Sequence, residues 1–210
     1  MKEVLDFLRM HKDYYSDYFI DNRLLKCRYG YTCEIDSVYC HLNKINIKET
    51  VYFNFYKLTK KLFDLKKGTI LEVGCGYIPI LSSIYKQNGF DVDAVDKKIL
   101  FKNYKQVHTI EFDLTKEFDL SNYHLIVGLR PCTITENVIE LCYRYHKSFI
   151  IYLCPCIHKP KNNVNINAYT EWINYLKEKT AEFQNYNISF IKVKTMPDDC
   201  PVVIGKYIPK

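Results

Sequence analysis

The chain is poor in the residues that break or loosen structure: 7 glycines and 7 prolines in 210 residues, with no low-complexity tract. That argues against a fibre, a linker or a disordered segment. No stretch approaches the ~18 uncharged apolar residues of a membrane span. The opening residues lack an apolar core as well. Lys2, Glu3, Asp6, Arg9, Lys12 and Asp13 punctuate Met1 to Ser16, so this segment reads as no signal peptide. Neither sign of charge dominates: 30 Lys+Arg against 24 Asp+Glu leave +6, which permits an anionic partner without demanding one. What is present in quantity is apolar and aromatic, 48% hydrophobic with 19 Tyr and 12 Phe, ample for a sizeable core. Nine cysteines complete the inventory. An odd number without a secretory signal predicts reduced thiols in a cytoplasmic setting and no disulfide framework.

The hydrophobic pattern changes character near Gly68. Before it, the chain is Tyr- and Lys-rich, and its apolar spacing predicts helices. Val4, Leu5 and Leu8 form one stripe, followed by a cluster at Tyr14, Tyr15, Tyr18 and Phe19; Val51, Phe55, Leu58 and Leu62 form another over about 48–65. Cys27 to Cys33 reads as a loop or turn. After Gly68, apolar strands alternate with helices. Strands are expected at Thr69–Val73, Asp91–Val95, His108–Phe112, His124–Leu129 and Ser148–Leu153. Helices are expected over Ile78–Asn88, Ile134–Tyr145 and Asn165–Phe183. Two further strands, Ile188–Lys194 and Val202–Ile208, flank Met196-Pro197-Asp198-Asp199 and would close the chain as a hairpin. Alternation of this kind implies an α/β, doubly wound, mostly parallel seven-stranded sheet with a C-terminal antiparallel hairpin. The expected organisation is a helical N-terminal extension over 1–67, serving as a cover over the substrate side, and a ligand-binding domain over 68–210.

The sharpest local signal is Glu72-Val73-Gly74-Cys75-Gly76, between a strand and a helix. Glycines there let backbone N–H groups approach a ligand at the carboxyl end of a strand. A dinucleotide fingerprint needs a third glycine three residues on, where Pro79 stands, so a pyrophosphate cradle and an NAD-dependent oxidoreductase are disfavoured. Glu72 would repel a pyrophosphate but suits a cationic ligand, an ammonium or a sulfonium. Asp96, twenty residues after Gly76 at the second strand tip, is placed to accept from ribose hydroxyls. Asp113, at the third tip, can accept from an adenine amino group. Helix capping or solvated loop positions are the plainer roles for all three acids.

These segments together resemble the class I S-adenosylmethionine-dependent methyltransferases. Ile70-Leu71-Glu72-Val73-Gly74-Cys75-Gly76 is similar to the family's first motif and Val92-Asp93-Ala94-Val95-Asp96 to its second. Phe112-Asp113-Leu114 resembles the third, and Tyr123-His124-Leu125-Ile126-Val127-Gly128 the strand before the catalytic loop. The family often has a third glycine where this chain has Ile78. Over about residues 68–208, the resemblance implies a Rossmann-like fold that binds S-adenosylmethionine. It implies cofactor contacts at Glu72, Gly74, Gly76, Asp96, Asp113, Leu114 and Leu129. The acceptor it implies is an unidentified small molecule or RNA; a module that binds the nucleoside without catalysis is the alternative.

The fourth strand tip, Gly128-Leu129-Arg130-Pro131-Cys132, is where an acceptor should meet the methyl group. It is not the Asn/Asp-Pro-Pro-aromatic motif of amino-group methylation on bases. Arg130 can clamp an anionic substrate, with a surface ion pair as its plainer role. Gly128-Leu129-Arg130-Pro131 together with Cys154-Pro155-Cys156 is similar to a methyltransferase subgroup with a Pro-Cys element after the fifth strand. Some members of that subgroup are similar to tRNA-modifying enzymes. Cys154, Cys156 and His158 offer metal-ligand atoms, but not at zinc-finger spacing. The gaps between Cys27, Cys33, Cys40 and His41 fit no C-x-x-C pattern either. No metal ligand is assigned from the sequence. Arg23, Lys26 and Arg28 beside Tyr29 and Tyr31 are a candidate basic-aromatic surface for RNA, or simply a solvated face with packed tyrosines.

Overall fold

A computed structural model describes residues 18–21, 24–27, 46–156, 160–162, 164–196 and 199–209. The first two segments are strands β1 (Tyr18–Asp21) and β2 (Leu24–Cys27), paired antiparallel. The expected helical cluster through Tyr18 and Phe19 is therefore extended backbone, as suits four residues rich in aromatic and branched side chains. The stripe at Val4, Leu5 and Leu8, most of the basic-aromatic candidate surface, and Cys33, Cys40 and His41 lie outside the described residues. So do His158 and the Pro197-Asp198 link.

A short 3-10 turn at Ile47–Glu49 leads into α1 (Val51–Phe63), within the helix expected over 48–65. Then follow β3 (Thr69–Val73), α2 (Ile80–Gln87), β4 (Asp91–Asp96), β5 (His108–Glu111), β6 (Leu125–Leu129) and α3 (Thr135–Arg144). The chain continues through β7 (Ser148–Tyr152), α4 (Tyr169–Ala181), β8 (Tyr186–Ile191) and β9 (Val202–Tyr207). The larger sheet has the order β5-β4-β3-β6-β7-β9-β8. All neighbouring pairs are parallel except those made by β9, which lies antiparallel between β7 and β8. This is the doubly wound, mostly parallel seven-stranded sheet that the alternating pattern predicts.

Both faces of the sheet are covered, and the period of two in the strands decides which side chain serves which face. Ile70, Val92, Leu125, Val127, Ile150, Tyr152, Val202 and Ile204 pack with α1 and α2. Leu71, Val73, Ile126, Phe149, Ile151 and Val203 pack with α3 and α4. Phe149 fills a notch over β9, because a Cβ at Gly205 would lie 2.2 Å from its ring. Helix α1, although it precedes the expected boundary at residue 68, joins the first of these cores. Its Phe55 is fully buried, and the ring of Tyr56 meets Tyr85 of α2 edge-on at 5.2 Å. No helix among the described residues is long and apolar enough to cross a membrane.

The strand order reverses between β3 and β6, so their connections leave in opposite directions and open a crevice at the carboxyl ends of the strands.

Candidate functional site

A cavity of about 270 Å³ occupies that crevice. Its lining includes all eight residues singled out from the sequence: Glu72, Gly74, Gly76, Asp96, Asp113, Leu114, Leu129 and Arg130. They reach it from four strand tips, because parallel strands deliver their carboxyl ends to one edge.

Glycine is required at the first of these tips by geometry. Gly74 has φ +68° and Gly76 φ +70°, and the Gly74 N–H donates to the Val95 carbonyl at 2.9 Å. A Cβ on Gly74 would stand 2.8 Å from Pro131 Cα and 2.9 Å from Pro131 Cβ. The glycine turn and the loop after β6 thus touch backbone to backbone and form one wall. Cys75, between the glycines, is buried.

Glu72 is 2% exposed, and its Oε2 accepts the Ser82 N–H at 2.8 Å and the Ser82 hydroxyl at 2.5 Å. Ser82 lies in the first turn of α2, whose leading N–H groups have no partner within the helix. The carboxyl at the tip of β3 therefore caps the following helix while also lining the cavity. Burial is the larger influence on it and pushes its pKa from 4.5 up to about 7, against the Ser82 hydrogen bonds, which favour the charged form.

That shift has a measurable consequence for stability. An acid whose pKa is higher folded than unfolded stabilises most below the unfolded value, and the advantage is lost as pH rises from 4.5 to about 7. The full loss is about 3 kcal/mol, at about 1.4 kcal/mol for each pH unit between the two values. Glu72→Gln keeps an oxygen for Ser82 but carries no charge. Urea unfolding at pH 4.5, 6 and 8 should show the variant gaining on the wild type as pH rises. Parallel profiles would refute the burial argument.

Asp96 closes β4, and its Oδ2 accepts the Gly76 N–H at 2.8 Å, tying the glycine turn to the second strand tip. Its Oδ1 lies 3.4 Å from the Lys98 N–H. Asp113 accepts both the Thr115 hydroxyl, at 2.7 Å, and the Thr115 N–H, at 3.1 Å, on Oδ1. The other oxygen meets Lys97 Nζ at 3.2 Å. The Thr115 bonds foremost, with Lys97 assisting, hold its carboxyl down at about 2. It is a carboxylate at any physiological pH, an acceptor and never a donor.

Arg130 has φ +56°, and its N–H donates to the Tyr152 carbonyl at 2.8 Å, one residue beyond the β6–β7 register of Leu129 with Tyr152. Its guanidinium lies 5.3 Å from the centre of the Tyr152 ring. The sheet edge therefore fixes the residue's backbone, and an aromatic face steadies its charge.

Sequence reasoning missed several lining residues. Val51 and Tyr52 enter from the start of α1; the extension was expected as a cover, but helical spacing could not single out the residues that reach the crevice. Lys97 and Lys98 follow the β4 tip and Tyr77 follows the glycine turn. Their position beside motif residues was the only signal available.

Neither a scan against protein-family models nor a search of the curated proteins finds a match to this sequence. Solved structures do match. The plantazolicin methyltransferase BpumL, in complex with SAH, superimposes with a TM-score of 0.56 at 14% identity, over 83% of this chain and 89% of that one. A ribosomal protein L11 methylase from Lactobacillus delbrueckii subsp. bulgaricus matches with a TM-score of 0.50 at 14% identity, over 76% of this chain and 77% of that one. At such identities the likeness speaks for architecture alone, and the architecture is the Rossmann-like fold of the class I S-adenosylmethionine-dependent methyltransferases.

Proposed function

We propose that the chain is an S-adenosylmethionine-dependent methyltransferase acting on a small-molecule or RNA acceptor. The observation that carries this reading is the convergence of the glycine turn, Asp96, Asp113 and the Leu129-Arg130 tip on one cavity. The residues fit the cofactor. Side-chain-free backbone at Gly74 and Gly76 lines the cavity, and Asp96 and Asp113 offer carboxylate acceptors for hydroxyl and amino donors. Glu72 offers a carboxyl suited to a cationic neighbour. When bound, S-adenosylmethionine supplies a methyl group on a positively charged sulfur.

In this reading Asp96 holds the ribose and Asp113 with Leu114 receives the adenine. Gly74, Gly76 and Glu72 border the amino-acid part, and Leu129 and Arg130 face the acceptor. Arg130 orients an anionic part of the acceptor, while Val51 and Tyr52, from the expected N-terminal cover, restrict water. Positioning in a water-poor site supplies most of what an in-line displacement needs, and a base is required only where the acceptor must lose a proton.

The cofactor class is tested by thermal unfolding. A ligand at 100 times its dissociation constant adds about 2.7 kcal/mol, which raises Tm by roughly 5–10 °C for a chain of this size. S-Adenosylmethionine and S-adenosylhomocysteine should both give that rise and NAD none. A shift with NAD alone would overturn the proposal. Transfer itself is read from labelled methyl groups incorporated into extract fractions, with and without ribonuclease; binding without incorporation in any fraction favours a non-catalytic module.

A further inference from the structure

Three cysteines from two separate loops meet beside the crevice. Cys132 Sγ lies 4.0 Å from Cys154 Sγ, and Cys154 Sγ lies 2.9 Å from Cys156 Sγ. All three sulfurs fall within 4.8 Å of one another. The sheet brings this about. Strands β6 and β7 are parallel neighbours with Leu129 opposite Tyr152, so Cys132, three residues past one strand, and Cys154, two past the other, leave the same edge. Pro155 restricts the backbone between Cys154 and Cys156, which narrows the separations open to that pair. Cys154 and Cys156 are buried, whereas Cys132 is half-buried and lines the cavity.

We infer that Cys132, Cys154 and Cys156 form a three-thiolate site for a borderline-soft divalent cation, Zn²⁺. A disulfide would account for the close Cys154–Cys156 pair, but it leaves no use for a third thiol within reach of both. A tetrahedral cation uses all three. With zinc–sulfur bonds of about 2.3 Å, thiolates on one zinc stand about 3.8 Å apart; the 4.0 Å between Cys132 and Cys154 is close to that, while Cys154 and Cys156, at 2.9 Å, must part by about 0.9 Å to share the cation. Sulfur ligands select zinc over magnesium or calcium, which prefer oxygen. Binding forms three S–Zn bonds and releases three protons to solvent, leaving the site with one net negative charge. Arg130, two residues before Cys132, has its guanidinium over the ring of Tyr152, two residues before Cys154, and so places a positive charge in that neighbourhood. Three protein ligands leave one position of the tetrahedron for another donor. The cation would fasten the acceptor loop to the end of β7, independently of which cofactor the crevice takes.

The test uses the full chain, reduced, stripped with a chelator and then titrated with Zn²⁺ against a chromophoric competitor. One high-affinity zinc per chain is expected. Cys132→Ser should weaken binding at least 100-fold, and Cys156→Ser likewise, while Cys142→Ser, a buried thiol outside the cluster, should leave it unchanged. Substitution with Co²⁺ should give thiolate-to-metal absorption that falls by about one third in Cys132→Ser, as one thiolate of three is removed. Since Cys132 sits on a half-buried loop, the metal-free variant should keep the wild-type circular dichroism, and it carries the test if Cys156→Ser does not fold. No stoichiometric zinc would overturn the inference. So would zinc held equally well by Cys132→Ser, or a Cys154–Cys156 disulfide, two hydrogens lighter by mass, in a protein that binds no metal when reduced.

Discussion

Gly74→Ala should destabilise the protein by about 2–5 kcal/mol and strip the crevice of its ligand affinity. Two effects add. A residue with a Cβ at φ +68° costs about 1–2 kcal/mol. The new methyl would also stand 2.8 Å from Pro131 Cα, and overpacking of that kind costs about 1–3 kcal/mol. Because the nearest atom is backbone, no side-chain rotation relieves the clash; the loop carrying Arg130 and Cys132 must move instead. Gly89→Ala separates the two effects. Gly89 has φ +84°, but a Cβ there would meet nothing within 4 Å, so it should cost only the backbone share. Urea unfolding of both variants measures the difference. Equal losses would mean that contact with Pro131 contributes nothing, and the glycine turn and the β6 loop would then be independent walls.

That contact also marks how far the sequence could be read. The strand-helix alternation after Gly68 carried the sheet, because buried parallel strands are apolar runs. The strand tips followed, since a parallel sheet delivers every carboxyl end to one edge; that rule placed Asp96 and Asp113, with the spacing from Gly76 and the motif resemblance beside it. What stayed hidden were relations between segments distant in sequence. Glu72 was legible as an acid at a tip, with helix capping as its plainer role, but not the partner that makes it the cap of α2, Ser82 ten residues later. Cys132 and Cys154 were each noticed and never joined, because the β6–β7 register that unites them is a property of the sheet. Tyr18 and Phe19 fit a helical stripe and a strand equally well. Four residues are too few for periodicity to decide, and pairing with Leu24–Cys27 decided it.

Asp96 is where a site residue and a structural residue must be told apart. Its Oδ2 already accepts from the Gly76 N–H at 2.8 Å, so Asp96→Ala loosens the glycine turn whether or not a ribose is ever bound. The expected loss of S-adenosylmethionine affinity is at least tenfold, consistent with hydrogen bonds to a charged acceptor worth about 1.5–3 kcal/mol each. That loss alone does not identify a contact. A double-mutant cycle with S-adenosylhomocysteine and its analogue lacking both ribose hydroxyls does. If Asp96 accepts from those hydroxyls, the wild type should lose at least tenfold between the two ligands, and Asp96→Ala should lose little. If Asp96 serves the turn alone, the analogue should suffer the same penalty in both proteins, and the ribose role would pass to another residue of the cavity. Asp96→Asn sharpens the comparison: it keeps one acceptor oxygen for Gly76, so its unliganded stability should stay near wild type while affinity falls with the lost charge. A variant that binds as tightly as the wild type would remove the carboxylate's charge from the account of this site.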